Sequence, residues 1–143
     1  MEANGHCGYI SLLLGLQHQN EEYHSVLELR RSIHEFLKQY SGMFYNSMSF
    51  SSTETRQKFI TSILNKIYTN NLSEKEVGME YWFDVSNMLP IVAMMFPKIH
   101  FMVYDILLCT TTCCSSCSKD SHTWDIIRYV KIPPISSVYL LYD

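Results

Sequence analysis

Residues 4–16 read NGHCGYISLLLGL, a short polar segment followed by an apolar run. Its second half, 8–16, is apolar on all sides, as expected of a short helix that other elements enclose. The apolar run is far shorter than the roughly 20 residues that a membrane span needs. It also lacks the basic leader and the cleavage site of a signal peptide. We therefore predict a short buried helix that begins close to Cys7.

A cysteine at the start of a helix is chemically favoured as a thiolate, because the positive end of the helix macrodipole stabilises the negative charge. Gly5 and Gly8 flank Cys7 and allow the backbone to turn tightly. The backbone N–H groups of Gly5, His6 and Cys7 can then face a developing oxyanion. The pattern favours a cysteine nucleophile, although a packed core thiol has the same spacing and stays an alternative.

Three further helices are predicted from apolar residues that recur with helical spacing, at 25–40, 53–69 and about 88–96. Ser25 is the expected N-cap of the first of these, with Glu28 three residues later in a capping-box pattern. Pro90 is expected in the first turn of the last helix, where its missing N–H has no consequence.

Strands are predicted in the second part of the chain, at 98–105, 124–131 and 137–142. Segment 109–121 is rich in Cys, Ser and Thr and is interpreted as an insertion loop. Helices therefore come first and strands follow. This order predicts an α+β fold, in which a small central β-sheet packs against a helical lobe.

The composition limits the possible function classes. The chain has 143 residues, enough for a single domain over 1–143, and its 47% apolar residues indicate a folded core. The net charge of −3 and the scattered Lys and Arg residues argue against binding to nucleic acid or to a membrane surface. The odd number of cysteines, five, predicts a reducing, cytoplasmic location.

The remaining four cysteines cluster within the predicted loop and raise the question of a metal site. Thiolates could hold zinc in a tetrahedral site. The pairs are too close together in the chain for a two-knuckle finger, however, and the surrounding residues are of low complexity. We therefore predict a loop without metal, and no cofactor. The residues concerned, with a histidine nearby, are Cys109, Cys113, Cys114, Cys117 and His122.

The ordered motifs resemble the ovarian-tumour (OTU) family of papain-like cysteine deubiquitinases. That family carries Asp-Gly-x-Cys before an aromatic residue and an apolar helix, and residues 4–9 read NGHCGY here. The Cys-Gly-Tyr version is similar to OTU modules of some viruses and mobile elements. Residues 81–84, 99–104 and 137–143 resemble the family's Trp-containing turn, its first central strand and the strand before its His motif. The resemblance spans almost the whole chain.

The resemblance implies a papain-like OTU fold and a thiol protease that hydrolyses (iso)peptide bonds after ubiquitin or a ubiquitin-like protein. It implies Cys7 as the nucleophile and Asn4 as a catalytic residue, with Gly5 and His6 in the oxyanion hole. Asn4 departs from the family, since the matching residue there is Asp and carries a charge.

A second departure concerns the general base. The family's catalytic His follows the last strand, and the chain stops at Asp143 without a matching residue. His6 is expected to shape the oxyanion loop, because adjacent side chains diverge and it cannot easily serve Cys7. His100 and His122 are the other candidates for the base. Three functions remain open: an active deubiquitinase, a catalytically dead ubiquitin-binding pseudoenzyme, and a structural domain whose thiol is incidental.

Overall fold

The computed structural model describes residues 5–45, 49–105, 110–114, 127–128 and 137–142, and for residue 100 and the residues after 101 it describes the backbone alone. Two short 3-10 turns, Ser41–Met43 and Met79–Tyr81, accompany the α-helices. The four α-helices are α1 (Cys7–His18), α2 (Val26–Tyr40), α3 (Thr53–Ile67) and α4 (Val85–Met95). Among the described residues, no helix is both long enough and apolar enough to cross a bilayer.

Helices α2 and α3 form where the apolar periodicity predicts them, and both begin at a serine cap. Ser25 Oγ accepts a hydrogen bond from Glu28 N at 3.1 Å, which confirms the predicted N-cap. The Glu28 carboxylate accepts a hydrogen bond from the backbone N–H of His24. In an ordinary capping box this donor is the N–H of the N-cap residue, here Ser25, so the bond is displaced by one residue. Ser52 caps α3 in the same way through Thr55 N.

Helix α4 begins earlier than predicted, and the placement of Pro90 in its first turn is wrong. Pro90 lies inside the helix, five residues after Val85, so the Ser86 carbonyl lacks its i+4 donor. An interior proline costs about 3 kcal/mol. Five of the helix's apolar side chains are buried, and this burial offsets that cost. The buried residues are Met88, Leu89, Ile91, Val92 and Ala93.

The core of the described body is formed by helix packing around α2, which contacts α1, α3 and α4. The predicted apolar faces of α2 and α3 point inward, as helical spacing requires. Fully buried members of the core include Leu12, Leu16, Leu29, Ile33, Leu37, Ile63 and Ile67.

Strand pairing involves His100–Asp105 (β1), Thr110–Cys114 (β2), Ile127–Arg128 (β3) and Ser137–Tyr142 (β4). The order is β3-β2-β1-β4, with β1 antiparallel to β2 and parallel to β4. Helix α1 runs beside β4. Strand β2 falls within 109–121, where we predicted a loop; the other residues of that segment lie outside the described residues.

The predicted fold class is wrong for the part of the chain that the structure describes in full. Residues 5–45 and 49–99 contain helices, turns and irregular backbone, and no strand. A small central sheet therefore does not organise this body, because the apolar faces of the helices bury one another and Phe101 is the core residue that a strand contributes. The alternation in 98–105 indicates where a strand can form. It does not indicate how much of the core that strand builds.

Candidate active site

Cys7 is the first residue of α1, and its side chain is exposed as a free thiol. The His6 carbonyl accepts a hydrogen bond from Ile10 N at 2.8 Å and so closes the first turn of the helix. The packed core thiol is therefore ruled out. Among the described residues, no side chain forms a hydrogen bond with Cys7. Asn4, the other predicted catalytic residue, lies outside the described residues.

The start of α1 differs from the starts of α2 and α3. Its N-cap is His6, which makes no side-chain cap, whereas Ser25 and Ser52 each accept a first-turn N–H. The first N–H groups of a helix have no partner inside the helix. The positive end of the α1 macrodipole is thus not neutralised by its cap residue, and it lies at Cys7.

His6 is buried, with 1% of its surface exposed, and its Nε2–H donates to the Ser73 carbonyl at 2.9 Å. Because a carbonyl can only accept, Nε2 must carry the proton. Burial lowers the pKa of His6 below its ordinary value of 6.5, and the nearby Arg30 charge lowers it further, although the Ser73 hydrogen bond opposes both. The neutral ring therefore anchors the loop before Cys7.

Gly5 and Gly8 both pack against residues 73–83, which we call the support segment. Gly5 has φ +84°, and a Cβ there would meet the Val77 carbonyl oxygen and would lie 3.0 Å from Trp82 Nε1. A Cβ on Gly8 would lie 2.6 Å from Phe83 Cβ. Gly5 is therefore needed for its backbone conformation and its close packing, whereas Gly8 is needed for packing alone.

Tyr9 connects the site to the core. Its ring packs edge-on against Phe83 at 5.1 Å between centroids, and its hydroxyl donates to Met88 Sδ at 2.9 Å. The Arg30 guanidinium lies over the Tyr9 ring, 3.7 Å from its centre. The residue two positions after Cys7 is thus held on several sides.

Arg30 is fully buried and was not singled out by the sequence analysis. Its guanidinium donates to the carbonyls of Ile67 at 2.9 Å and Tyr81 at 2.7 Å. It therefore joins α2 to the negative C-terminal end of α3 and to the support segment. Burial lowers the pKa of Arg30, and the nearby Tyr9 acts in the opposite direction. The sequence feature that indicates burial of Arg30 is its position on the apolar face of α2, four residues after Val26 and three before Ile33.

The other described histidine side chains lie away from the thiol. His18 and His24 are exposed, and His18 is roughly 16 Å along α1 from Cys7 at 1.5 Å per residue. His34 lies in α2 beside Tyr68, with ring centroids 6.0 Å apart. The His100 side chain and all of His122 lie outside the described residues.

No metal centre is present in the described part of the chain, which holds no group of three or more His, Cys, Asp or Glu residues able to bind an ion. The Cys113 and Cys114 side chains, and the whole of Cys109 and Cys117, lie outside the described residues. The prediction of a loop without metal therefore stays a prediction.

Comparison with known proteins gives one solved structure of similar fold. It is an OTU deubiquitinase from Wolbachia pipientis wMel, 16% identical in sequence, with a TM-score of 0.65. The match covers 99% of this chain and 78% of that chain. No protein-family model and no curated protein sequence matches the chain. At this identity the likeness concerns the fold alone, and we conclude that the chain has an OTU-like fold.

Proposed function

We propose that residues 1–143 form a single OTU-like domain that acts as a cysteine protease on ubiquitin or a ubiquitin-like protein, with a Cys-Gly-Tyr variant of the nucleophile motif. The observation that carries this proposal is Cys7, an exposed thiol at a helix N-terminus that its cap residue leaves open, within an OTU-like fold. From such a position a thiolate, the form that attacks carbonyl carbon, can reach a substrate.

The proposed reaction is hydrolysis of the bond after the modifier's C-terminal glycine. The Cys7 thiolate attacks the glycine carbonyl carbon, and the tetrahedral oxyanion is stabilised by backbone N–H groups of Gly5 and His6. Asn4 is the second proposed catalytic residue. When the C–N bond breaks, the leaving nitrogen takes a proton from water, and a thioester to Cys7 remains. Water then attacks the thioester, releasing the carboxylate of the modifier and the thiol.

The buried contacts around this loop fit a preorganised oxyanion hole. His6 is held by Ser73, and Gly5 is held against Val77. Donors that are fixed before reaction need no reorganisation as charge develops, and removal of one such donor commonly lowers kcat about 10²–10³-fold. These contacts support the assignment of Gly5 and His6 to the oxyanion loop.

A second candidate function is binding of the same modifier without cleavage. The observation that favours it is that none of the described histidine side chains forms a hydrogen bond with Cys7. His6, the nearest in sequence, donates its hydrogen bond to the Ser73 carbonyl. A general acid is needed to protonate the leaving amine, and its loss lowers the rate about 10²–10⁴-fold. Labelling by a modifier that carries a C-terminal electrophile requires only the Cys7 thiol and the surface that binds the modifier.

The two functions are separated by one pair of assays on the full chain. Ubiquitin carrying a C-terminal electrophile is expected to label Cys7, and labelling is expected to be lost in Cys7→Ala. Di-ubiquitin is then incubated with wild type and with Cys7→Ala. Cleavage that depends on Cys7 identifies the protease, whereas labelling without cleavage identifies the binding protein.

The proposal is wrong if wild type reacts with a small alkylating reagent at Cys7 and yet fails to react with the electrophiles of ubiquitin and of its relatives. Thermal unfolding of Cys7→Ala is the control, since truncation of an exposed side chain should change the unfolding free energy by no more than about 0.5 kcal/mol.

A further inference from the structure

Trp82 presents a large apolar surface directly beside the loop that precedes Cys7. Its side chain is 49% exposed, and Met79 on the same segment is 74% exposed. The indole Nε1 lies 3.0 Å from the position that a Cβ on Gly5 would occupy. The edge of the ring that carries the N–H is therefore next to the backbone two residues before Cys7.

The indole N–H has no acceptor among the described residues, whereas backbone carbonyls on the same segment accept hydrogen bonds. Tyr81 and Ser73 on the same segment both accept hydrogen bonds through their carbonyls. Tryptophan side chains that are half apolar and half wet are typical of binding surfaces, where the N–H meets an acceptor from the partner. Trp82 thus combines exposed surface with an N–H donor that no described residue accepts, at the candidate nucleophile loop.

We propose that Trp82 is a substrate-binding residue that positions the modifier's C-terminal tail for attack by Cys7. This rests on the proposed function. The occupant is an extended peptide that ends in glycine, since glycine has no Cβ and its backbone can approach the indole closely. The ring forms one wall of the path to Cys7, Met79 extends that wall, and Nε1–H donates to a backbone carbonyl of the tail.

The test compares two reagents on the same thiol. One is ubiquitin with a C-terminal electrophile, which must place its tail along the proposed wall; the other is iodoacetamide, which needs no binding surface. Trp82→Phe keeps the ring and removes the N–H, and Trp82→Ala removes both. Leu14→Ala, an exposed apolar position elsewhere on α1, is the matched control.

The expected result is selective slowing of the ubiquitin reagent. Trp82→Phe should lower its labelling rate about 5-fold, the value of one neutral hydrogen bond. Trp82→Ala should lower it about 10–100-fold, as for loss of a central aromatic contact. The half-saturating reagent concentration should rise while the maximal rate changes little. Iodoacetamide labelling should stay at wild-type values in both variants, the unfolding midpoint should stay there in Trp82→Phe, and Leu14→Ala should resemble wild type in every assay.

Two outcomes overturn the inference while leaving the proposed function in place. Wild-type labelling of Trp82→Ala by the ubiquitin reagent would show that the tail does not use the ring. Equal slowing with both reagents would show that Trp82 acts on the loop geometry. If wild type itself ignores the ubiquitin reagent and still reacts with iodoacetamide, the proposed function fails and the inference fails with it.

Discussion

At the scale of single residues, the glycine after Cys7 is set by a contact that the sequence does not show. Gly8→Ala would place a methyl group 2.6 Å from Phe83 Cβ, so either α1 or the support segment must shift. We expect a loss of about 1–3 kcal/mol in unfolding free energy, the usual effect of overpacking, and slower labelling of Cys7.

Gly42→Ala is the control for this substitution, since a Cβ there meets nothing within 4 Å. It should leave stability unchanged or raise it by up to about 1 kcal/mol through the unfolded chain. Urea unfolding of the two variants gives both values. An equal effect of the two substitutions would contradict the contact with Phe83.

His6 should make stability depend on pH, because burial lowers its pKa in the folded protein below 6.5. The unfolded chain then binds the proton at higher pH than the folded chain does. The stability that the neutral ring contributes is fully present above 6.5 and is lost as the pH falls through the folded-state pKa.

We therefore expect wild type to lose more unfolding free energy than His6→Gln does between about pH 7.5 and about pH 5. Glutamine can still donate to the Ser73 carbonyl but does not titrate. His18→Gln, at an exposed position, is the matched control for removal of a histidine. Urea titrations at the two pH values measure this, and parallel curves for wild type and His6→Gln would refute it.

At the scale of elements, Arg30 joins parts of the chain that are distant in sequence. Its guanidinium bonds the end of α3 and the support segment while it stacks on Tyr9 of α1. Arg30→Lys should therefore lower the unfolding free energy by about 2–4 kcal/mol, since one ammonium cannot replace a planar group with several donors.

The neighbouring Arg31 provides the control for this prediction. It is exposed and lies 5.8 Å from the centre of the Tyr68 ring, so Arg31→Lys should change stability by no more than about 0.5 kcal/mol. Guanidinium unfolding of the two variants compares them directly. Similar losses would show that charge alone, and not the buried geometry, is what matters at position 30.

The helices also show where sequence reasoning succeeds. Apolar spacing and Ser25 were sufficient for α2, because its local signals agree with its packing. The local rule for proline predicts Pro90 in a first turn, whereas α4 holds it in its interior because the side chains around it are buried. Local patterns determine a boundary only where tertiary contacts do not act against them.

At the scale of the whole molecule, the sequence order of elements was a poor guide to the fold class. It indicated helices and strands, yet the fully described body is held together by helix packing around α2. The candidate site was only partly predictable for a related reason. Cys7 and Gly5 were identified from local chemistry, whereas Arg30 and the support segment depend on contacts between residues 36 to 67 positions apart.

Across the whole chain, we predict an order in which the five cysteine thiols react with an alkylating reagent. Cys7 should react first with limiting iodoacetamide at neutral pH, because it is exposed at a helix N-terminus. Peptide mapping after partial alkylation measures the order, and Cys7→Ser identifies its peptide. Faster labelling of the 109–117 cluster would argue against an activated Cys7.

The contact between Gly8 and Phe83 also affects how chains of this fold can diverge. The two Cβ positions would be 2.6 Å apart, and every residue except glycine has a Cβ. Enlarging position 8 without shifting α1 or the support segment therefore requires glycine at position 83, so we expect the two changes to occur together. Distant relatives are expected to carry the exchanged pair, a bulky residue after the cysteine and a glycine where Phe83 stands here.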